Sequence, residues 1–199
     1  MSDGPKSPAE IAADRNENRL ETCIGIVVVL LATFMGLCSV KAGNIGQKMQ
    51  QAQVDRNNNW AWYQARNIRQ GVYEGTAAEL SLPLPDESDE ARQAREAKSA
   101  EYAQRAVSQG EKMEQQKTDA LAAEQEYQVL GAKDDQFDIS EAALALGLAM
   151  MGVTALLKRW WLFWVASVPS LFGLGMGLAG FLGVDTNNVL IKWMIDLLS

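Results

Sequence analysis

The chain has 199 residues, 48% of them hydrophobic, and carries 18 Lys and Arg against 25 Asp and Glu for a net charge of −7. No basic stripe interrupts that acidic balance, so a nucleic-acid partner is not expected. Histidine is absent, which removes the commonest general base and metal ligand.

The hydrophobic residues are segregated, and their placement predicts an all-α membrane protein. Ser7-Pro8-Ala9-Glu10 puts serine at an N-cap, proline at the first helical position and glutamate at the third, a capping box that starts a helix after a loose tail. Residues 1–21 therefore read as a tail and a pre-membrane helix. Residues 22–40, TCIGIVVVLLATFMGLCSV, are uncharged and long enough to cross a bilayer, which takes about 20 residues of helix. The acidic residues ahead of this stretch and the length of its apolar core favour an uncleaved anchor over a signal peptide. Cys23 and Cys38 lie about 22 Å apart on that helix and cannot bridge within one chain.

Residues 41–138 are polar, with twelve Lys and Arg against seventeen Asp and Glu. Gly43 and Gly46 offer a bend after the membrane, but from Gln47 to Leu80 helix formers dominate and proline is absent. SLPLPDES, residues 81–88, breaks the helix, since Pro83 and Pro85 push their predecessors out of helical geometry. Asp86 or Ser88 can cap the helix that follows. That helix shows spacings of three and four through Ala103, Ala106, Gly110, Met113, Lys117, Ala120, Glu124 and Tyr127, a heptad seam of mostly small residues. The expectation is a long antiparallel coiled-coil hairpin between the first and second spans. Its arms would reach about 60 and about 75 Å. Gly131 and the pair Asp134-Asp135 are expected to loosen the helix before it enters lipid; the two aspartates are a loose cation site at most, and solvation is the simpler role.

Residues 139–157 form the second predicted span, with Glu141 at headgroup level. Lys158-Arg159 then forces an antiparallel turn into a third span, residues 160–184, whose Trp160, Trp161 and Trp164 suit an aromatic belt. Gly173 and Gly177 stand at GxxxG spacing within it and mark a helix contact. Residues 185–199 read as an amphipathic helix lying in the interface, with prolongation of the third span as the alternative.

The stretch NNNWAWYQARNIRQ, residues 57–70, places aromatics where no core is evident. At 100° per residue Val54, Ala61, Ala65, Ile68 and Val72 share a narrow arc, taken as the seam of the ascending arm. Trp60 and Trp62 lie about 200° apart, one on each flank, with Tyr63 beside Trp60. One partner helix cannot cover both, so the returning arm and a second copy of the chain are expected to share them. Arg69 and its polar neighbours would supply hydrogen bonds between helices. The residues expected at an oligomer or partner contact are Trp60, Trp62, Tyr63, Ile68, Arg69, Gly173 and Gly177.

Together with ENRLETCIGIVVVLLATFMGLCSV and QFDISEAALALGLAMMGVTALL, this stretch resembles the uncharacterised bacterial membrane-protein family catalogued as domain of unknown function 4337. The resemblance covers nearly the whole chain. It is carried by Trp60, Ala61, Tyr63, Gln64, Ala65, Ile68, Arg69 and Gln70, with Trp62 where relatives are expected to have phenylalanine. It implies one N-terminal span, a polar helical region and two C-terminal spans in a bacterial inner membrane, and it supplies no activity.

No phosphate-binding loop occurs, and no span carries a central charge that could relay ions. No catalytic residue, cofactor or metal site is expected. Two function classes remain: a membrane-anchored, self-associating scaffold or adaptor, and a small subunit of a transport or channel assembly. The partners expected are the lipid bilayer, further copies of the chain, and a larger membrane complex. The basic pair in the short second loop places the N-terminus in the cytoplasm and the hairpin in the periplasm.

Overall fold

A computed structural model describes residues 7–184. Within them the chain forms α1 (Pro8–Ser81), α2 (Asp89–Leu157) and α3 (Trp160–Phe181). The proposed interfacial helix at 185–199 and the tail at 1–6 lie outside the described residues. Each helix contains an 18-residue stretch apolar enough to cross a membrane, of mean hydropathy 2.6, 1.7 and 1.6 in chain order.

α1 begins where the capping sequence placed it, with the Ile11 amide donating to the Ser7 carbonyl at 3.0 Å. It then runs through Gly43 and Gly46 without a break. A glycine lowers helix stability only modestly, and no proline follows until Pro83. The loosening expected at Gly131 to Asp135 does not occur either, because α2 is helical throughout. Its Gln136, Phe137 and Ser140 are buried just beyond the aspartates and tie that stretch to α3.

α1 ends at the proline segment. Asp86 takes a left-handed conformation, φ 62, which aspartate tolerates better than most residues. Of the two capping candidates Ser88 is the one used: its Oγ accepts the Ala91 amide at 3.3 Å and its carbonyl accepts that of Arg92 at 2.9 Å. Arg95 fastens the turn, with Nε 3.0 Å from Glu87 Oε1 and Nη1 donating to the Leu80 carbonyl. Their side chains are only 12% and 8% exposed, so this pair is shielded as surface pairs are not.

The described residues divide into two units. The first contains residues 7–47 and 130–184, and the second Lys48–Val129. In the first unit Leu20, Ile24, Met151 and Ala166 form a buried cluster, flanked by Val27, Val28 and Phe163. Lys158, at φ 53, makes the turn between α2 and α3.

α2 and α3 of this unit pack antiparallel at close range. Gln136 donates to the Met176 carbonyl at 3.2 Å and Ser140 to the Gly173 carbonyl at 2.7 Å. A Cβ at Gly173 would lie 2.9 Å from the Ser140 carbonyl oxygen and 3.0 Å from the Leu144 nitrogen; at Gly177 it would lie 2.7 Å from the Phe34 ring. Hydrogen is the largest substituent these positions admit, and at Gly173 its small size lets the two backbones approach closely. Phe181 completes the contact by meeting Phe34 and Phe137 edge to face, at 6.1 and 5.3 Å.

Candidate interaction surface on the polar unit

In the second unit α1 and α2 also run antiparallel, as successive contacts show. Ser99 Oγ donates to the Ala77 carbonyl at 2.8 Å, and the Tyr73 and Tyr102 rings stand 5.9 Å apart. Arg66 then donates to Gln109 Oε1 at 3.3 Å, and Arg56 pairs with Glu124 at 2.6 Å.

The side of α1 that faces α2 carries Ala52, Arg56, Asn59, Tyr63, Arg66, Gln70, Tyr73 and Ala77, all buried or half-buried. Their spacing alternates between four and three without a slip, so this is a heptad seam built largely of polar residues. It corrects the seam read from hydrophobicity. Val54, Ile68 and Val72 are 50%, 68% and 58% exposed, on the opposite side of the helix. The physical reason is the chemistry across the contact: α2 presents Glu124, Gln109 and Ser99, whose hydrogen bonds reward a polar register that valine and isoleucine could not satisfy.

On α2 every position of the predicted frame but Ala103 is buried or half-buried, Gly110 against Gln70 included. Ala106 and Ala120 are buried and Met113 and Tyr127 half-buried, whereas Ala103 is exposed and Tyr102, Gln109, Gln116 and Ala123 complete the contact. Lys117 and Glu124, the charged members of that frame, sit at its edge, where Glu124 takes the Arg56 guanidinium, itself 5.9 Å from the Tyr127 ring centre. That pairing, chiefly its hydrogen bond, holds the Glu124 carboxyl below the ordinary range.

The residues expected at a partner contact are thereby sorted. Trp60 is half-buried with its ring edge-on to half-buried Tyr63, centroids 5.4 Å apart. Trp62 is 50% exposed, Ile68 is exposed beyond it, and Arg69 is exposed as well. Gly173 and Gly177 belong to the other unit, where they are buried against Leu144, Ser140 and Phe34 of the same chain. Their contact is intramolecular.

Val54, Asn58, Ala61, Ala65, Ile68 and Val72 also repeat at fours and threes. The outward side of α1 is therefore a second heptad stripe, more apolar than the seam in use, with Trp62 on its flank. Val107, Leu121 and Val129 are exposed on α2. Among the described residues no group of three His, Cys, Asp or Glu could hold a metal ion, and Asp134 and Asp135 join none.

The family model described as Domain of unknown function (DUF4337) matches residues 20–183, which takes in all three apolar stretches and both arms. The chain belongs to that family. No curated protein and no solved structure matches it.

Proposed function

We propose that the protein is a membrane-anchored scaffold or adaptor that associates with copies of itself through a coiled-coil hairpin, and that it is not an enzyme. The observation that carries this reading is the second heptad stripe: Val54, Ile68, Val72 and Trp62 stand at least half exposed on a helix whose other side is already occupied. A water-exposed surface rarely leaves large apolar side chains repeated at heptad spacing along one side of a helix without a partner. The period of 3.5 keeps the stripe on one side of a supercoiling helix, so its natural occupant is another helix. A second copy offers the same stripe, and a two-fold arrangement lets each satisfy the other.

In this reading the three apolar stretches cross a bacterial inner membrane, with the N-terminus in the cytoplasm and the hairpin in the periplasm. Leu84, exposed at the tip, is the place to test orientation. In a Cys-free background Leu84→Cys should react with an impermeant maleimide in cells whose outer membrane alone is permeabilised; reaction only after the inner membrane is opened would invert the assignment.

Self-association is tested by native mass measurement in mild detergent across a range of protein concentrations. A multiple of the chain mass is expected, reduced by Trp62→Ala and unchanged by Lys112→Ala. A wild-type protein that stays monomeric throughout would end the scaffold reading. Conductance of the purified protein in liposomes would replace it with a subunit of a transport or channel assembly.

A further inference from the structure

A cleft of about 740 Å³ opens beside the first turns of α1, lined by Arg15, Arg19, Asn18 and Thr22 and bounded by Trp160 at the start of α3. Asp14 also borders it. Glu17 and Glu21 are engaged elsewhere, since Lys158 takes up Glu17 at 3.3 Å and Glu21 at 2.9 Å. Lys158 is held in its charged form by those two carboxylates, with the Glu21 hydrogen bond the larger influence. The guanidiniums of Arg15 and Arg19 have no acidic partner among the described residues.

Trp160 brings the start of α3 to the cleft. α3 starts at Trp160 without a side-chain cap, because Arg159 supplies only extended backbone, φ −115 and ψ 118. The amides of a helix's first turn carry the positive end of its dipole, and here they lack a side-chain acceptor.

The cleft changes character along its length. Arg15 and Arg19 stand on the polar approach to the first apolar stretch, while Thr22 and Cys23 open that stretch. Trp160 is half-buried between the two, with its ring 5.8 Å from Phe163 and against the cluster of Leu20 and Ile24. An indole so placed presents an apolar body to lipid and a polar edge to the headgroup layer.

Two unpaired guanidiniums beside the indole of Trp160, where the first apolar stretch begins, match a molecule with an anionic phosphodiester at one end and hydrocarbon at the other. We infer that this cleft binds the headgroup of an anionic phospholipid, with Arg15 and Arg19 on the phosphate and Trp160 at the junction of glycerol and acyl chains. Guanidinium presents paired donors that fit phosphate oxygens. Free phosphate shares that chemistry, but only a lipid also uses the Trp160 indole and the apolar stretch beside it. The inference depends on membrane anchoring and needs only one copy of the chain, so it can fail while self-association stands, and the reverse.

The test uses the full-length protein in detergent, with native mass measurement of lipid retained from mixtures of phosphatidylglycerol and phosphatidylethanolamine. The protein's net charge of −7 opposes non-specific capture of an anion, so a preference for phosphatidylglycerol is informative. Arg15→Gln with Arg19→Gln should weaken retention of phosphatidylglycerol about thirtyfold, the expectation for removing two basic side chains from an anionic surface. Arg15→Lys with Arg19→Lys should restore most of it, and Arg92→Gln should leave it unchanged. Equal retention of the two lipids by the wild-type protein would overturn the inference, and this comparison decides the matter even if the double glutamine variant does not fold. Retention undiminished in a folded double glutamine variant would also overturn it. Displacement of phosphatidylglycerol by an equal concentration of inorganic phosphate would show an ion site in place of a lipid site.

Discussion

The two units bring helices together by different means. In the apolar unit α2 and α3 meet through Gly173, Gly177 and Gly180, whose missing side chains let Ser140, Leu144 and Phe137 reach the opposing backbone. In the polar unit α1 and α2 meet through alanines, tyrosines and paired polar side chains such as Arg56 with Glu124. The first contact is complete within one chain. The second buries little apolar area and leaves the more hydrophobic side of α1 in the open. Close approach suits a medium in which apolar area confers no advantage on helix association, whereas in water the same area is what drives helices together. The polar unit is therefore where an additional helix has most to contribute.

The contrast is broken most severely by filling the glycine contact. Gly173→Val should destabilise the apolar unit by about 3 kcal/mol or more, because the added carbons meet backbone atoms that cannot rotate away. Gly175→Val, with nothing within 4 Å, should have far less effect. Thermal aggregation of the two variants in the same detergent compares them directly, and equal midpoints would refute the close-packed contact.

Trp62→Ala comes next. Covering about 100 Å² of indole at 25 cal/mol per Å² contributes roughly 2 to 3 kcal/mol for each copy in an assembly. The assembly should thus dissociate at markedly higher protein concentration than the wild type, while helix content by circular dichroism stays the same. Trp60→Ala removes a ring already edge-on to Tyr63 and should disturb the hairpin itself.

A smaller effect is expected from acid. The Glu124 carboxyl is held below its ordinary range by Arg56, so its contribution to stability is present above that range and is lost as the pH falls through the lowered value. Melting of the hairpin followed from neutral pH down to about pH 3, below the usual carboxylate range, should show a modest loss that Arg56→Ala removes. A variant with the same pH dependence as the wild type would show that the pair contributes nothing.

The least effect is expected at the tip. A short Gly-Ser insertion between Leu84 and Pro85, both exposed, should leave accumulation and melting unchanged. The same insertion near Gln109, within the seam, should not be tolerated. Ser88 and the Arg95–Glu87 pair must stay intact for that comparison, since they cap and fasten the turn.

The sequence by itself determined the all-helical class, the three apolar stretches, the start of α1 beside Ser7 and the turn at Pro83 to Ser88. These follow from effects that act along the chain: a proline lacks an amide, a serine caps the turn ahead of it, and a run of uncharged residues is visible without knowing its neighbours. Only the tertiary structure decided which side of α1 meets α2. A ranking by hydrophobicity selects Val54, Ile68 and Val72, but a seam of arginine, glutamine and tyrosine is stable once Glu124 and Gln109 stand opposite, and those lie 68 and 43 residues from Arg56 and Arg66 in sequence. The alternation of fours and threes through Ala52, Arg56, Asn59 and Tyr63 was legible, yet it is indistinguishable in period from the stripe behind it. Likewise GxxxG spacing announced a helix contact without naming the helix. That Gly173 faces α2 and Gly177 also meets Phe34 of the same chain depended on how the three apolar stretches pack, which no single stretch encodes.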